Sequence, residues 1–298
     1  MKILFRSDSS SAIGLGHVMR DLVLAKEFSE DEIHFAAQNL EGNINENIPY
    51  TLHVLKSNDP KELIELIKAL HVELLIIDHY GIKYKDEKKI KEATGVKILS
   101  FDDTYEKHYC DILLNHNISA DASRYKDLVP SHCELRCGSA YTLIRDEFKK
   151  EKRVQREKIY DIFLCMGGSD VANLNIPILK MIPDCLHVSV LSTNANANLK
   201  ELQEYVKDRL NISLHLNSSN VAKILNQSRF AIITPSVMVH EVLYMEVPFL
   251  AIKVASNQDD MYRYLKKHGY KALDFLDKDM NESINEIASY IFDSQGNI

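Results

Sequence analysis

Short apolar runs of strand length alternate with amphipathic stretches of helix length over almost the whole chain, and this rhythm admits few architectures. In the first half the strand candidates are residues 2–6, 32–36, 51–55, 73–78 and 96–101, with a sixth at 111–114. The clearest helix between them is DPKELIELIKALH, where Asp59 is placed to cap and Pro60 takes the first helical position. Strands that alternate with helices predict parallel sheets covered on both faces.

The stretch LIRDEFKKEKRVQREKIY, from Leu143 to Tyr160, breaks the rhythm. It is highly charged and opens no apolar run, so it reads as a link. Strands are expected after it at 159–165, 186–192, 212–215, 230–233 and 248–252. Helices are expected at about 172–182, 199–208, 219–227, 236–245 and 258–267, and a last amphipathic segment at 280–292. A chain of 298 residues suits two domains, 1–146 and 147–298. The expected fold is α/β: two Rossmann-like, doubly wound domains facing across a cleft, with the segment near 280–292 packing back on the first. Ligands of such sheets bind outside the carboxyl ends of the strands, so function is expected there.

Composition narrows the partners. A net charge of −7 argues against a general nucleic-acid binder. No apolar run reaches the roughly 18 residues of a membrane span, and the first residues read as a strand rather than a leader peptide. The five cysteines, Cys110, Cys133, Cys137, Cys165 and Cys185, are odd in number and form no framework. Cys133 and Cys137 lack a second close pair, so no structural metal is expected. The reading is a cytoplasmic, monomeric protein without membrane, nucleic-acid, metal or cofactor partners.

Three loops carry the candidate chemistry. In RSDSSSAIGLGHVMRD, Gly14 and Gly16 let backbone N–H groups approach a ligand, and the next helix points its positive end at the same place. A third glycine and a P-loop lysine are both absent, so the motif equally describes a tight strand-to-helix turn with His17 solvated at its end. A histidine at a helix N-terminus tends to stay neutral, which suits a general base. DIFLCMGGSD repeats the design with Gly167, Gly168 and Ser169, and an ordinary βα turn is again the alternative. In TPSVMVHEVLYMEVPFLAIK, Ser236 suits a helix N-cap and Glu241 follows within the helix, either solvated or receiving ribose hydroxyls.

GLGHVMRD, CMGGSD and TPSVMVHEVLYMEVPFLAI together resemble GT-B nucleotide-sugar enzymes, such as the transferase that adds N-acetylglucosamine in peptidoglycan synthesis. With IIDHY, SFDDT, LLNHN, YTLIRDEF and SNQ in the same order, the chain is more similar to the UDP-sugar hydrolases of pseudaminic acid synthesis. The resemblance runs to about residue 275 and implies a UDP-sugar substrate and UDP product. It implies His17 as base, and Gly167, Gly168, Ser169, Ser236 and Val237 around nucleotide and phosphate. It further implies Glu241 at the ribose and Asn257 and Gln258 near the sugar; Tyr80 of DHY, at a strand end, either reaches the same cleft or packs. The implied reaction is water attack at the anomeric carbon of UDP-2,4-diacetamido-2,4,6-trideoxy-beta-L-altropyranose, with inversion.

Two other functions fit the same residues. An inverting glycosyltransferase would use the same fold and His17, but the chain leaves little room for a second acceptor site. A non-catalytic nucleotide-sugar binder would bind without turnover. Asp102 and Asp103 are adjacent after a strand and point to opposite sides, so a turn or capping role is expected. His79, His108, His116 and His240 show no metal spacing. Lys83 to Lys91 reads as a solvated helix face, and Arg145 as a structural residue near the hinge.

Overall fold

The computed structural model describes residues 1–10 and 12–276; the expected segment at 280–292 lies outside them. The chain divides into one compact unit, Met1–Leu143, and a second from Ile144 onward.

The first unit holds a sheet of β1 (Lys2–Ser7), β2 (Glu32–Gln38), β3 (Thr51–Leu55), β4 (Leu74–Asp78), β5 (Lys97–Phe101), β6 (Ile112–Asn115) and β7 (Glu134–Cys137), in the order β3-β2-β1-β4-β5-β6-β7. Every pairing in it is parallel. Because both faces are covered, β1 and β4 are buried almost without interruption, and β4 reads as an apolar run up to Asp78. Alternate residues serve opposite faces. Ile3, Phe5, Phe35 and Ile76 join one core, while Leu4, Leu75, Ile77 and Ile98 join the other.

Helix α1 (Gly16–Ala25) packs Val18, Leu24 and Ala25 on the first of these cores, and α2 (Pro60–Leu70) packs Leu63 and Ile67 on the second. The start of α2 is as expected, with the Asp59 carboxylate accepting the Lys61 N–H at 3.0 Å. Helix α3 (Tyr84–Thr94) is not wholly a solvated face: Glu87 and Ile90 are buried, and Lys91 reaches Asp111 at 2.7 Å.

The second unit repeats the plan. Its strands are β8 (Tyr160–Cys165), β9 (Val188–Ser192), β10 (Ile212–Leu216), β11 (Ser228–Ile233), β12 (Phe249–Lys253) and β13 (Ala272–Asp274). Their order is β10-β9-β8-β11-β12-β13, again parallel throughout. The helices are α4 (Asp146–Glu151), α5 (Asn175–Met181), α6 (Leu199–Val206), α7 (Val221–Asn226), α8 (Val237–Met245) and α9 (Asp259–Lys267).

Helix α4 lies inside the stretch expected to be a link. Phe148 is fully buried, Arg156 pairs with Glu151, and the Asn226 amide donates to the Val154 carbonyl at 2.8 Å. The charges therefore pair with one another while one aromatic ring anchors the segment. Among the described residues no helix is long and apolar enough to cross a membrane.

Both sheets reverse their winding beside the first-made strand, between β1 and β4 and between β8 and β11. Those are the points at which the loops at the carboxyl ends splay apart and leave a crevice.

Candidate active site

His17 stands at the first of these switch points. The loop before it is closed by Ser10 and Gly14, which exchange backbone hydrogen bonds at 3.2 and 2.9 Å. Gly14 has φ +82°, which a residue with a Cβ rarely adopts. Behind the loop Arg6 is fully buried and grips Asp8 through two bonds of 2.6 and 2.9 Å, while His79 Nε2 reaches Asp8 at 3.0 Å. This buried pair fixes where β1 ends and the glycine loop begins.

His17 opens α1, and its Nδ1 lies 2.7 Å from Asp78 Oδ1 at the end of β4. Arg20, one turn on, donates to Asp78 through Nη2 at 2.5 Å and through Nε, and to Asp103 through Nη1 at 3.0 Å. Arg20 Nη2 also lies 3.2 Å from His17 Nδ1, but a guanidinium only donates. The shorter carboxylate contact therefore assigns the proton to Nδ1 and leaves the lone pair on Nε2. Burial opposes ionisation of Asp78, but the Arg20 charge and hydrogen bonds outweigh it and lower its pKa. Asp21 is fully buried, and burial and the Asp78 charge push its pKa up, with Ser7 and Arg20 opposing.

Tyr80 completes this group. Its ring meets His17 edge-on at 4.7 Å, and its hydroxyl donates to Asp103 Oδ1 at 2.8 Å. Burial and the Asp103 charge raise its pKa, so the phenol stays protonated. Asp102 turns the other way and accepts the Thr104 and Glu106 N–H groups at 2.9 and 3.0 Å. The adjacent carboxylates thus serve different partners, as expected, but Asp103 belongs to the cluster rather than to a turn.

The second switch point gathers Gly167, Gly168 and Ser169 after β8, and Ser236 and Val237 after β11. Gly168 is required: a Cβ there would stand 2.9 Å from Thr193, whose hydroxyl donates to the Gly168 carbonyl at 2.9 Å. Ser236 occupies the N-cap position of α8, but its hydroxyl makes no capping bond and lies 3.4 Å from Thr234 Oγ1 instead. The positive end of α8 is left without a side-chain cap.

Glu241 is not solvated. It is 2% exposed and takes Arg145 Nε at 2.5 Å and Nη2 at 2.9 Å. Burial raises its pKa, and Arg145 opposes that. Asn257 is exposed on the short turn Ser256–Gln258 after β12. Gln258 Oε1 accepts the Val254 N–H at 2.8 Å, so half of that amide holds its own loop. Lys253 fastens the same loop, with Asp259 and Asp274 each at 2.6 Å. Among the described residues, no three His, Cys, Asp or Glu side chains are grouped to hold a metal ion.

No family model matches the chain. UDP-2,4-diacetamido-2,4,6-trideoxy-beta-L-altropyranose hydrolase of Campylobacter jejuni is 50% identical over 271 residues, which are 91% of this chain and 98% of that protein. The chain belongs to this hydrolase family. Spore coat polysaccharide biosynthesis protein SpsG of Bacillus subtilis is 21% identical, over 85% of this chain and 77% of its own.

Among solved structures, MurG of Acinetobacter baumannii matches 99% of this chain and 91% of its own with TM-score 0.62 at 12% identity. HepE of Anabaena in complex with UDP matches 99% and 91% with TM-score 0.61 at 11% identity. At such identities the likeness carries the fold alone, and the hydrolase-family chain shares the GT-B fold.

In this member of the hydrolase family the residues singled out from sequence fall into one group per unit. Gly14, Gly16, His17 and Tyr80 meet at the first switch point; Gly167, Gly168, Ser169, Ser236, Val237 and Glu241 lie around the second. Sequence reasoning missed Arg20, Asp78 and Asp103. A signal existed for two of them: Arg20 is three residues after His17 on one helix face, and Asp78 is a charge ending a buried strand.

Proposed function

We propose that the protein hydrolyses UDP-2,4-diacetamido-2,4,6-trideoxy-beta-L-altropyranose in pseudaminic acid biosynthesis, releasing UDP. One observation carries the reading: with Nδ1 held on Asp78 at 2.7 Å, His17 presents Nε2 as a proton acceptor beside a topological switch point. In the proposed step a water oxygen bonds to the anomeric carbon as the bond from that carbon to the UDP oxygen breaks. His17 Nε2 takes the water's proton, and the configuration inverts, as in one-step inverting glycosidases.

The domain around His17 serves the sugar, and the domain beginning near residue 147 serves the nucleotide. Backbone N–H groups of the Gly167-Gly168-Ser169 turn and the uncapped start of α8 at Ser236 and Val237 face the charge that gathers on departing UDP. Glu241, oriented by Arg145, accepts ribose hydroxyls. In the first domain Gly14, Gly16 and Tyr80 are read as serving the sugar; in the second, Asn257 and the amide nitrogen of Gln258 are read as sugar contacts. As proposed, the enzyme is a cytoplasmic monomer that needs no metal or cofactor.

The test is turnover of this substrate in oxygen-18 water with no other acceptor present. Label on the released sugar and none on UDP is expected. Label in the UDP phosphate would place the attack at phosphorus, and sugar release only on addition of an acceptor would make the protein a transferase.

A further inference from the structure

Two free thiols lie outside this site. Cys110 is buried before β6, and Cys133 is half-buried immediately before β7, with sulfurs 3.7 Å apart. The strands are parallel neighbours with Ile112 opposite Glu134, so the cysteines stand one register step apart. Both face the same core as Leu113, Leu135 and Cys137.

We propose that Cys110 and Cys133 are a modification site, which a hydroperoxide converts to an intrachain disulfide and a dithiol restores. The sulfurs must close from 3.7 Å to about 2.05 Å. Cys110 is pinned on both sides. The Tyr109 N–H donates to Glu87 at 2.6 Å, and the Asp111 carboxylate takes Lys91 Nζ and the Ile98 N–H, each at 2.7 Å. Cys133 closes the turn from Pro130, with its N–H on the Pro130 carbonyl at 2.9 Å, and its thiol is held only by Cys110 and a long 3.7 Å contact to the Glu134 carbonyl, so it is the partner that moves.

Their inequality assigns the roles. Cys133 is half-buried where Cys110 is buried, and the contact between them lowers the Cys133 pKa against burial. The same contact, with burial, raises that of Cys110. The thiolate is the nucleophile, so half-buried Cys133 meets the peroxide first. Its sulfur bonds to one peroxide oxygen, the O–O bond breaks, and the other oxygen leaves as water or alcohol after taking a proton. The Cys110 sulfur then attacks the Cys133 sulfenic acid; the S–S bond forms, the S–O bond breaks, and hydroxide leaves as water with the Cys110 proton. Two thiols lose two electrons and the peroxide gains them.

The experiment treats the full chain with hydrogen peroxide, blocks remaining thiols, and maps unreduced peptides by mass spectrometry. Loss of two of the five thiols is expected. A peptide pair joined through Cys110 and Cys133 should appear, and dithiothreitol should return both thiols. In Cys133→Ser, a change at the more exposed position, Cys110 should remain alkylatable in unfolded chain after the same treatment. A bond from Cys133 to Cys185, a bond between chains, or sulfinic acid at Cys133 beside an intact Cys110 would overturn the proposal.

Discussion

In the proposed reaction His17 serves as a base only while its Nδ1 proton is held by Asp78, because Nε2 must carry the lone pair. His17→Asn keeps a polar side chain but cannot accept the water's proton. It should lower kcat by about 10²–10⁴-fold and leave UDP affinity nearly unchanged. Steady-state rates together with UDP calorimetry check this, and normal turnover would remove His17 from the chemistry. At the nucleotide end, Glu241→Ala should weaken UDP binding by about 1–3 kcal/mol, since ribose hydroxyls lose their acceptor. Arg145 keeps Glu147 at 2.7 Å, so the loss falls on the ligand more than on the fold. Unchanged UDP affinity would leave Glu241 as a structural partner of Arg145 alone.

At the scale of elements, the loop after β5 rests on a buried imidazole. His108 Nδ1 lies 2.8 Å from Glu87 of α3, and its Nε2 is 3.9 Å from Asp102. Burial works against the charged ring, but Asp102 and Glu87 together raise its pKa to about 9. The longer contact is an ion pair rather than a hydrogen bond, so Glu87 is the better-placed partner. A pKa raised above the unfolded value near 6.5 gives stability that is full below that pH and lost as pH rises through about 9. Denaturant unfolding should therefore separate wild type from His108→Gln most at pH 6 and least above pH 9, in the range where the folded ring loses its proton. A gap independent of pH would show that the ring's charge does not contribute.

What was legible in the sequence follows from burial. Strands covered on both faces, such as LLIID of β4, announce themselves as apolar runs. Edge strand β7, with Glu134 and Arg136 paired at 2.8 Å, and three-residue β13 carry too little apolar signal to be read. Helix α4 was hidden because one buried phenylalanine anchors a segment whose other residues are mostly charged. His17 and the glycine turns were legible as local motifs. Asp78 showed only as a charge ending a buried strand, and Asp103 not at all, because their shared role arises when β1, β4 and β5 are laid side by side.

For the molecule as a whole, the two switch points carry different duties in the proposed reaction. UDP alone should slow amide exchange around Met166–Asp170, Thr234–Val242 and Val254–Gln258, and leave the first unit little changed. Hydrogen exchange with and without UDP measures this. Protection confined to residues before Leu143 would reverse the assignment of nucleotide and sugar.

The parallel sheets also set an order of events during synthesis. β1 is made before the other strands of its sheet, yet it lies in the sheet's interior, and one neighbour, β4, ends only at Asp78. β8 likewise waits for β11, which ends at Ile233. No tight hairpin shortens either wait, so a strand that ends up buried in each unit must be shielded from other nascent chains until its distant partner arrives. A chain wound in this way should depend on early chaperone contact more than its finished burial suggests.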